Sequence, residues 1–461
     1  MFIILNDLVK EKIVIVVSSI GMFLSTLDTG IINVALPYLK NHFNVSTNTV
    51  ALTVIGYSTS LAIFIMLFGF LSDTKGKLKI ANIGMWLFML ASIFCGITNS
   101  IYLIVLFRII QGIGAAALQA ISASLITTLI HPSRQNNAIG TIGIMIGLGP
   151  VLGPSLGGLL LSLGSWRLIF LINVPFTLIG IFCIFILERK ISEVHYNKQI
   201  DIVGFILVAL LLSSFLIGLN CLSKVNIKNI GILLIFVSFI LSFVVYKFEI
   251  RKKFPILNMK IVTSKKVLIL LLQTILFGFA SAIVFLIPPF LFENILHVSV
   301  GITGLLVLGA PIGIALFSKI SGRLNDGSKN NIYSLVGIFL MVISFILLSI
   351  LSNKISYIFI TIFLFIYGAG GGFFQPANVS NLMSSVGLSD QGSMSALQRM
   401  MQNIAIAVGS SIGSLIMYSF QGNELYGIRT SYFMTLFLMV IILFISCLTY
   451  KIWSENKKVS D

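Results

Sequence analysis

Gly69-Phe70-Leu71-Ser72-Asp73 recurs in pattern as Gly322-Arg323-Leu324-Asn325-Asp326, 253 residues further along the chain. A second match has nearly the same offset, 256 residues, and relates Gly112, Gly114 and Gln119 to Gly368, Gly370 and Gln375. Two independent matches at nearly one offset indicate an internal duplication. Bundles of membrane helices are often built from such internal repeats. The sequence therefore predicts two halves with the same architecture.

The composition of the chain indicates a membrane environment. Of 461 residues, 57% are hydrophobic and only 10% are charged, too few to cover one core with a polar surface. About fourteen apolar runs are long enough to cross the hydrocarbon layer as helices. They span 13–39, 48–71, 79–98, 101–129, 136–163, 167–187, 202–222, 229–250, 267–291, 300–318, 331–351, 355–383, 391–419 and 429–452.

The repeat fixes how these runs are grouped. Counting outward from the duplicated motifs leaves six runs in each half and an extra pair between the halves. We therefore predict an all-α integral membrane fold, with two six-helix bundles and two extra transmembrane helices between them. The predicted parts are an N-terminal six-helix bundle at 1–190, a two-helix insertion at 191–250, a basic cytoplasmic linker at 251–266 and a C-terminal six-helix bundle at 267–461.

The basic residues predict the orientation. The net charge is +16, and the Lys and Arg residues lie in the short connections between the apolar runs. With a cytoplasmic N-terminus, 22 of the 30 basic residues fall on the cytoplasmic side, and six fall outside: Lys40, Arg167, Lys224, Lys228, Lys354 and Arg429. This positive-inside bias predicts a multi-pass protein with both termini in the cytoplasm and disfavours nucleic-acid binding. High Lys, Ile and Asn usage with few Arg favours a bacterial cell membrane.

Enzyme chemistry has no support in the sequence. The four cysteines are scattered, the four histidines are isolated, and no nucleotide-binding loop or nucleophile constellation is present. We therefore expect no enzyme activity, no metal and no cofactor. Any work that the protein does must then be driven by an ion gradient.

Asp28 is the one carboxylate of fourteen that we place well inside a predicted span. An acid at the centre of a membrane helix costs about 2.5–3.5 kcal/mol and is normally kept for proton relay, ion binding or pairing. Arg108, in the fourth run, cannot deprotonate and needs a partner. We interpret Asp28 as a proton carrier tuned by Arg108; the alternative is that the two only pair to fix packing. The sequence does not give their separation.

Five motifs carry a resemblance to a known family. They are Leu27–Pro37, similar to L-D-x-T-x-x-N-x-A-L-P with Gly30 in place of threonine; Gly69–Lys77, similar to G-x-L-x-D-R-x-G-R with Thr74 in place of arginine; Arg108–Gly114, similar to R-x-x-Q-G-x-G; Gly149–Gly158, similar to G-x-x-x-G-P-x-x-G-G; and Trp166–Pro175, similar to W-R-x-x-F-x-x-N-x-P. Over essentially its whole length the chain resembles the major facilitator superfamily, specifically its fourteen-helix drug:proton antiporter branch.

We predict roles for three further groups of residues, and the resemblance implies two of them, the cytoplasmic latch and the antiporter gate. The polar pocket would contain Asn33, Gln111, Gln119 and Gln375. A cytoplasmic latch would contain Gly69, Asp73, Gly76, Lys77, Gly322 and Asp326, for which the simpler interpretation is a solvated loop that sets the topology. An antiporter gate would contain Gly149, Gly153, Pro154, Gly157 and Gly158, whose glycines alone are also typical of ordinary helix packing.

The function implied is proton-coupled efflux of amphipathic, often cationic drugs or toxic compounds by alternating access. We expect a monomer whose partners are a small-molecule substrate, protons and membrane lipid, with no nucleic acid. Two alternatives remain. One is a proton-coupled exporter of a physiological metabolite, such as an amino acid, a peptide or a lipid-like product. The other is a non-transporting membrane sensor.

Overall fold

The computed structural model describes residues 7–191, 193, 201–222, 228–252, 259–350, 356–420 and 422–460, without the side chains at 47, 48, 150, 151, 154, 260, 300, 301 and 449–460. Every regular element within these residues is helical, so the predicted all-α fold is confirmed. Residues 253–258 of the predicted basic linker lie outside the described ranges.

The helices follow the predicted apolar runs closely. The first nine are α1 (Asp7–Phe43), α2 (Thr47–Lys75), α3 (Lys77–Ile97), α4 (Ile101–Leu129), α5 (Pro132–Ser162), α6 (Leu168–Leu171), α7 (Asn173–Glu188), α8 (Ile202–Leu222) and α9 (Lys228–Ile250). The others are α10 (Met259–Val262), α11 (Lys265–Phe290), α12 (Val300–Leu306), α13 (Gly309–Leu324), α14 (Asn330–Ser349), α15 (Tyr357–Met383), α16 (Gln391–Ser419) and α17 (Glu424–Ser460), with a π-helix at Leu291–Ile295 and a 3-10 helix at Leu388–Asp390.

Thirteen helical segments of the described chain are long and apolar enough to cross a membrane. The fifth predicted span is not among them, although it coincides with α5, whose 31 residues exceed the roughly 20 that a crossing needs. Helix α5 contains seven glycines, and three of its side chains lie outside the description. A fourteenth span, formed by α5, stays a prediction.

Two predicted spans are each divided into two helices, and proline explains both divisions. A proline has no N–H to donate to the carbonyl four residues earlier and its ring clashes with that carbonyl. Four residues before Pro175 is Leu171, the last residue of α6. Four residues before Pro311 is Val307, which directly follows the last residue of α12.

The described chain forms two compact units. Unit 1 comprises Met1–Ala138, Leu148–Val262 and Val386–Met400; unit 2 comprises Ile139–Gly147, Thr263–Ser385 and Met401–Asp461. Helices α5 and α16 each contribute residues to both units. The predicted boundaries at 190, 250 and 266 stay a prediction.

The insertion helices α8 and α9 belong to unit 1. They pack closely, because a Cβ added at Gly231 would lie 2.9 Å from the carbonyl oxygen of Gly218. Asp201, directly before α8, and Glu249, in the last turn of α9, are buried, and Lys252 Nζ lies 3.6 Å from Asp201 Oδ1. Nothing in the sequence indicated this buried acidic pair.

Candidate functional site

Asp28 and Arg108 are in direct contact inside unit 1. Arg108 Nη1 donates to Asp28 Oδ2, and the two side chains are buried, with relative exposures of 0% for Arg108 and 2% for Asp28. Gln111, three residues after Arg108 and therefore on the same face of α4, donates from Nε2 to Asp28 Oδ1 over 3.0 Å. Helix α4 thus presents a cation and an amide to one carboxylate on α1.

Two further helices complete the surroundings of the carboxylate. Asn173, the first residue of α7, donates from Nδ2 to Asp28 Oδ1 over 3.1 Å. Ser92 on α3 accepts from Gln111 Nε2 at 2.9 Å and from Asn173 Nδ2 at 3.4 Å. Four helices therefore converge on Asp28, and hydrogen bonds of this kind hold a buried charge in one position.

Arg108 has other partners besides Asp28. Its Nη1 donates to Gln111 Oε1 at 2.7 Å, and its Nε donates to the carbonyl oxygen of Thr53 at 3.2 Å. The guanidinium carbon lies 4.1 Å from the ring centroid of Tyr57, a cation–π contact. If Asp28 takes up a proton, the guanidinium keeps these three partners. The arrangement therefore tolerates a change of charge at Asp28 better than an isolated ion pair would.

The other predicted pocket residues are placed differently. Gln119 Nε2 donates to Ser25 Oγ at 3.1 Å, one turn before Asp28 on α1, and the Tyr57 hydroxyl donates to the Ser25 carbonyl at 3.0 Å. Asn33 is exposed and is not one of the groups around Asp28. Gln375 is buried in unit 2. Asp28, Arg108, Gln111 and Gln119 therefore share one polar region, and Asn33 lies apart from it.

Sequence reasoning missed Asn173 and Ser92. Asn173 had a signal, since it is the one amide in the otherwise apolar segment Leu168–Pro175, but we gave it no role there. Ser92 had none, because a serine in an apolar helix commonly bonds to its own backbone.

Unit 2 carries an uncharged counterpart of this site. Ser281 lies 253 residues after Asp28, and Tyr367 lies 256 residues after Gln111, the offsets of the duplicated motifs. Their hydroxyl oxygens are 2.8 Å apart and both side chains are buried. Leu364 takes the place of the arginine. The repeat has thus kept a polar contact between equivalent helices in unit 2 without its charges.

The carboxylate of the predicted latch residue Asp73, near the end of α2, contacts the first residues of α16. It accepts from the backbone N–H groups of Gly392 at 2.8 Å and Ser393 at 3.0 Å, and from Ser393 Oγ at 3.0 Å. The first N–H groups of a helix have no partner inside it and carry partial positive charge, so a carboxylate is favourable there. Gly69 lets α2 approach closely, since an added Cβ would lie 2.8 Å from the Gly392 carbonyl.

The turn after Asp73 depends on one glycine. Gly76 has φ 98°, a left-handed backbone that residues with a Cβ rarely adopt. Lys77 begins α3 and places its Nζ 3.5 Å from Asp73 Oδ1. Glu193 accepts from the backbone N–H groups of Lys77 at 2.9 Å and Leu78 at 3.0 Å. The start of α3 is therefore capped by a carboxylate from beyond α7.

The duplicated motif in unit 2 behaves differently. Asp326 is exposed and accepts from the backbone N–H of Ser328 at 2.9 Å and from its hydroxyl at 2.6 Å. These bonds, the hydroxyl's first, hold the pKa of the Asp326 carboxyl group below its usual value. Gly322, near the end of α13, is buried and its Cα would lie 3.6 Å from a Cβ added at Gly140. Asp326 therefore stabilises its own turn, whereas Asp73 bonds to another helix.

The predicted gate glycines bring α5 against α1. A Cβ added at Gly149 would lie 2.9 Å from the backbone nitrogen of Leu27. One added at Gly153 would lie 2.5 Å from Gly30 Cα and 2.7 Å from its carbonyl carbon. Distances below 3.0 Å to backbone atoms cannot be relieved by a rotamer change. Gly30, which replaces the threonine of the motif, lies where the two backbones meet.

The last two glycines of the motif have more room. A Cβ at Gly157 would lie 3.1 Å from the carbonyl oxygen of Ile31, and one at Gly158 would meet nothing within 4 Å. The side chain of Pro154 lies outside the description. The four glycines thus form a graded series, from no room for a methyl group to open space.

The sequence as a whole matches the Major Facilitator Superfamily over residues 18–410 and 269–460. The chain belongs to this superfamily. Members of the superfamily are membrane transport proteins, so the chain is a multi-pass membrane protein of a transporter family rather than of an enzyme family.

Similar proteins include two from bacteria. The chain is 26% identical to the riboflavin transporter RibZ of Clostridioides difficile, with 92% of each chain covered. It is 24% identical to multidrug resistance protein 3 of Bacillus subtilis, with 90% of this chain and 81% of that one covered. The human organic anion transporter MFSD10 shares the fold at a TM-score of 0.64 and 15% identity, over 95% of this chain and 99% of that one.

Proposed function

We propose that the protein is a proton-coupled antiporter of a bacterial cytoplasmic membrane, with both termini in the cytoplasm, that exports amphipathic, often cationic compounds by alternating access. The observation that carries the proposal is the buried carboxylate of Asp28, held by the guanidinium of Arg108 and by two amides. The similarity to multidrug resistance protein 3 supports the substrate class.

The coupling follows from the charges around Asp28. On the outer side, the carboxylate takes up a proton and Arg108 retains its bonds to Gln111, to the Thr53 carbonyl and to the Tyr57 ring. On the cytoplasmic side, a cationic substrate near Asp28 favours the ionised carboxylate and displaces the proton. Proton and substrate then exclude each other, and this mutual exclusion couples the inward flow of one to the outward flow of the other.

The proposal is tested with purified protein in liposomes loaded at acidic pH and diluted into alkaline buffer. We expect a fluorescent lipophilic cation to accumulate inside while the pH gradient lasts, and to leave when nigericin collapses it. Protein-free liposomes given the same gradient control for passive partition of the cation. Accumulation equal in both preparations would overturn the proposal for this class of compound.

A second candidate substrate class has one observation in its favour. RibZ, which is similar to this chain over 92% of both lengths, is named as a riboflavin transporter. An uncharged metabolite with several hydrogen-bonding groups is therefore the alternative cargo. In the same liposomes, accumulation of riboflavin but of no lipophilic cation would favour it.

Replacement of Asp73 by asparagine tests the latch. Asparagine has no charge and carries an NH2 group in place of one carboxylate oxygen, so the bond which that oxygen accepts, from Gly392 or from Ser393, is lost. Charge-assisted bonds to backbone N–H groups contribute about 1.5–3 kcal/mol. We expect the initial transport rate in liposomes to fall by roughly tenfold.

Asp326→Asn is the matched control for the latch. The same pattern of sequence surrounds Asp326, but its carboxylate bonds only within its own turn among the described residues. We expect its transport rate to stay within about twofold of the unaltered protein. Equal losses in the two variants would show that the contact with α16 has no special role.

A further inference from the structure

Gln375 is a buried amide that unit 2 leaves without a hydrogen bond. Its relative exposure is 3%, and neither its Nε2 nor its Oε1 has a partner in the described part of the chain. The equivalent residue of the other half, Gln119, donates to Ser25 Oγ at 3.1 Å. Buried amides are nearly always paired, since leaving one unpaired costs free energy. The repeat has therefore kept a glutamine at this position, although no group of the described residues forms a hydrogen bond with it.

Two serines of α13 share this property. Ser318 and Ser321 are fully buried, and neither hydroxyl oxygen has a hydrogen-bond partner among the described residues. Serines in helices usually bond to a carbonyl of the preceding turn, and many serines of this chain do so. Ser318 Oγ and Gln375 Oε1 approach the same point, because a Cβ added at Gly143 would lie 2.9 Å from the first and 3.9 Å from the second.

A glycine face of α5 covers these polar groups. All of the residues concerned belong to unit 2, which includes the segment Ile139–Gly147 of α5. A Cβ at Gly140 would lie 2.5 Å from the carbonyl oxygen of Ser318, and one at Gly147 would lie 3.1 Å from Ile314 Cγ2. Three glycines one turn apart thus bring the backbone of α5 directly onto α13, over the unpaired hydroxyl and amide.

The covered groups have a defined chemistry. Gln375 offers a donor and an acceptor side by side, and Ser318 adds a hydroxyl that can do either. A carboxamide, imide or lactam edge has the complementary pair of donor and acceptor. A cation without hydrogen-bonding groups gains nothing from them.

We propose that Gln375 and Ser318 form a hydrogen-bonding subsite for an uncharged donor–acceptor group of the exported compound, covered in this conformation by Gly140, Gly143 and Gly147 of α5. The inference rests on the proposed export function for its cargo. A carboxamide-like group of that cargo binds Gln375 and Ser318 in unit 2 once α5 has moved off α13.

The experiment measures binding rather than transport, so that it stands apart from the test of proton coupling. Two probes are used: an alkyl triphenylphosphonium cation, and the same cation with a terminal carboxamide on a chain of equal length. Their dissociation constants for the detergent-purified protein are measured by isothermal titration calorimetry. We expect the unaltered protein to bind the carboxamide probe more tightly, by about tenfold, the ratio that one or two net hydrogen bonds give.

Gln375→Leu and Ser318→Ala are expected to remove that preference without weakening the alkyl probe. Because neither side chain bonds to the fold within the described residues, both variants should melt at or above the temperature of the unaltered protein. Equal affinity of the unaltered protein for the two probes would overturn the subsite. So would a preference that survives both substitutions, or a lowered melting temperature with both probes weakened alike, which marks a structural role. Loss of proton-driven accumulation with intact probe preference would overturn the antiport proposal alone.

Discussion

Asp28→Asn is expected to abolish accumulation driven by a pH gradient while the protein still folds and inserts. Asparagine has nearly the same shape and its carbonyl oxygen can accept from Gln111 and Asn173 as Oδ1 does. It cannot take up or release a proton, so the step that links substrate to the gradient is lost. Loss of an essential proton-transfer group typically costs about 100-fold or more in rate. We expect accumulation in acid-loaded liposomes to fall to that of protein-free liposomes.

The matched control lies on the same helix. Asp7 is exposed and its carboxylate pairs with Lys10 at 3.0 Å, an exposed ion pair that contributes little. Asp7→Asn should therefore transport like the unaltered protein. Exchange of labelled for unlabelled cation across the membrane needs no proton. It should persist in Asp28→Asn because the binding pocket remains. Undiminished accumulation in Asp28→Asn would leave Asp28 with only the packing role.

Gly153→Ala is expected to reduce transport at least about tenfold, because its methyl group has no room. An added Cβ would lie 2.5 Å from Gly30 Cα, so α5 must move away from α1 by a shift of backbone rather than of a side chain. Forcing extra carbon atoms into a filled space costs typically 1–3 kcal/mol. If the closed contact of α5 on α1 belongs to the transport cycle, the initial rate is the quantity that falls.

Gly158→Ala is the control for Gly153→Ala on the same helix. Nothing lies within 4 Å of an added Cβ there, so its initial rate in liposomes should match the unaltered protein. Gly157→Ala, with 3.1 Å to the Ile31 carbonyl oxygen, should lie between the two. A loss that is equal for all three would point to glycine's flexibility rather than to close packing, and would contradict our interpretation.

The sequence predicted the fold well because membrane helices are apolar runs of a fixed length. It also singled out Asp28 and Arg108 as candidate site residues, since a charge in such a run is rare. It did not predict that Asn173 and Ser92 complete the same site, because which faces of α3 and α7 meet α1 depends on packing across the bundle. A residue pattern also cannot separate Asp73 from Asp326, since only the first has the beginning of another helix opposite it.

Similar limits hold for the two equivalent glutamines. The repeat placed Gln119 and Gln375 in corresponding positions, and both are buried. They differ in hydrogen bonding because of one neighbouring residue each. Ser25 lies within reach of Gln119, whereas Gln375 faces a glycine of α5. Sequence spacing gives the position of a side chain on its helix, but not the group opposite it.

The uncharged contact between Ser281 and Tyr367 bears on the electrical balance of the proposed cycle. If Asp28 carries the proton of this cycle and the equivalent uncharged pair carries none, each turnover moves one proton inward. Exchange for a monovalent cation then moves no net charge, and the membrane voltage neither helps nor opposes it. Export of an uncharged compound moves one positive charge inward, so each 100 mV of potential, negative inside, adds about 2.3 kcal/mol to the driving force. After subtraction of the accumulation in protein-free liposomes, valinomycin with potassium should therefore alter accumulation of the uncharged cargo only.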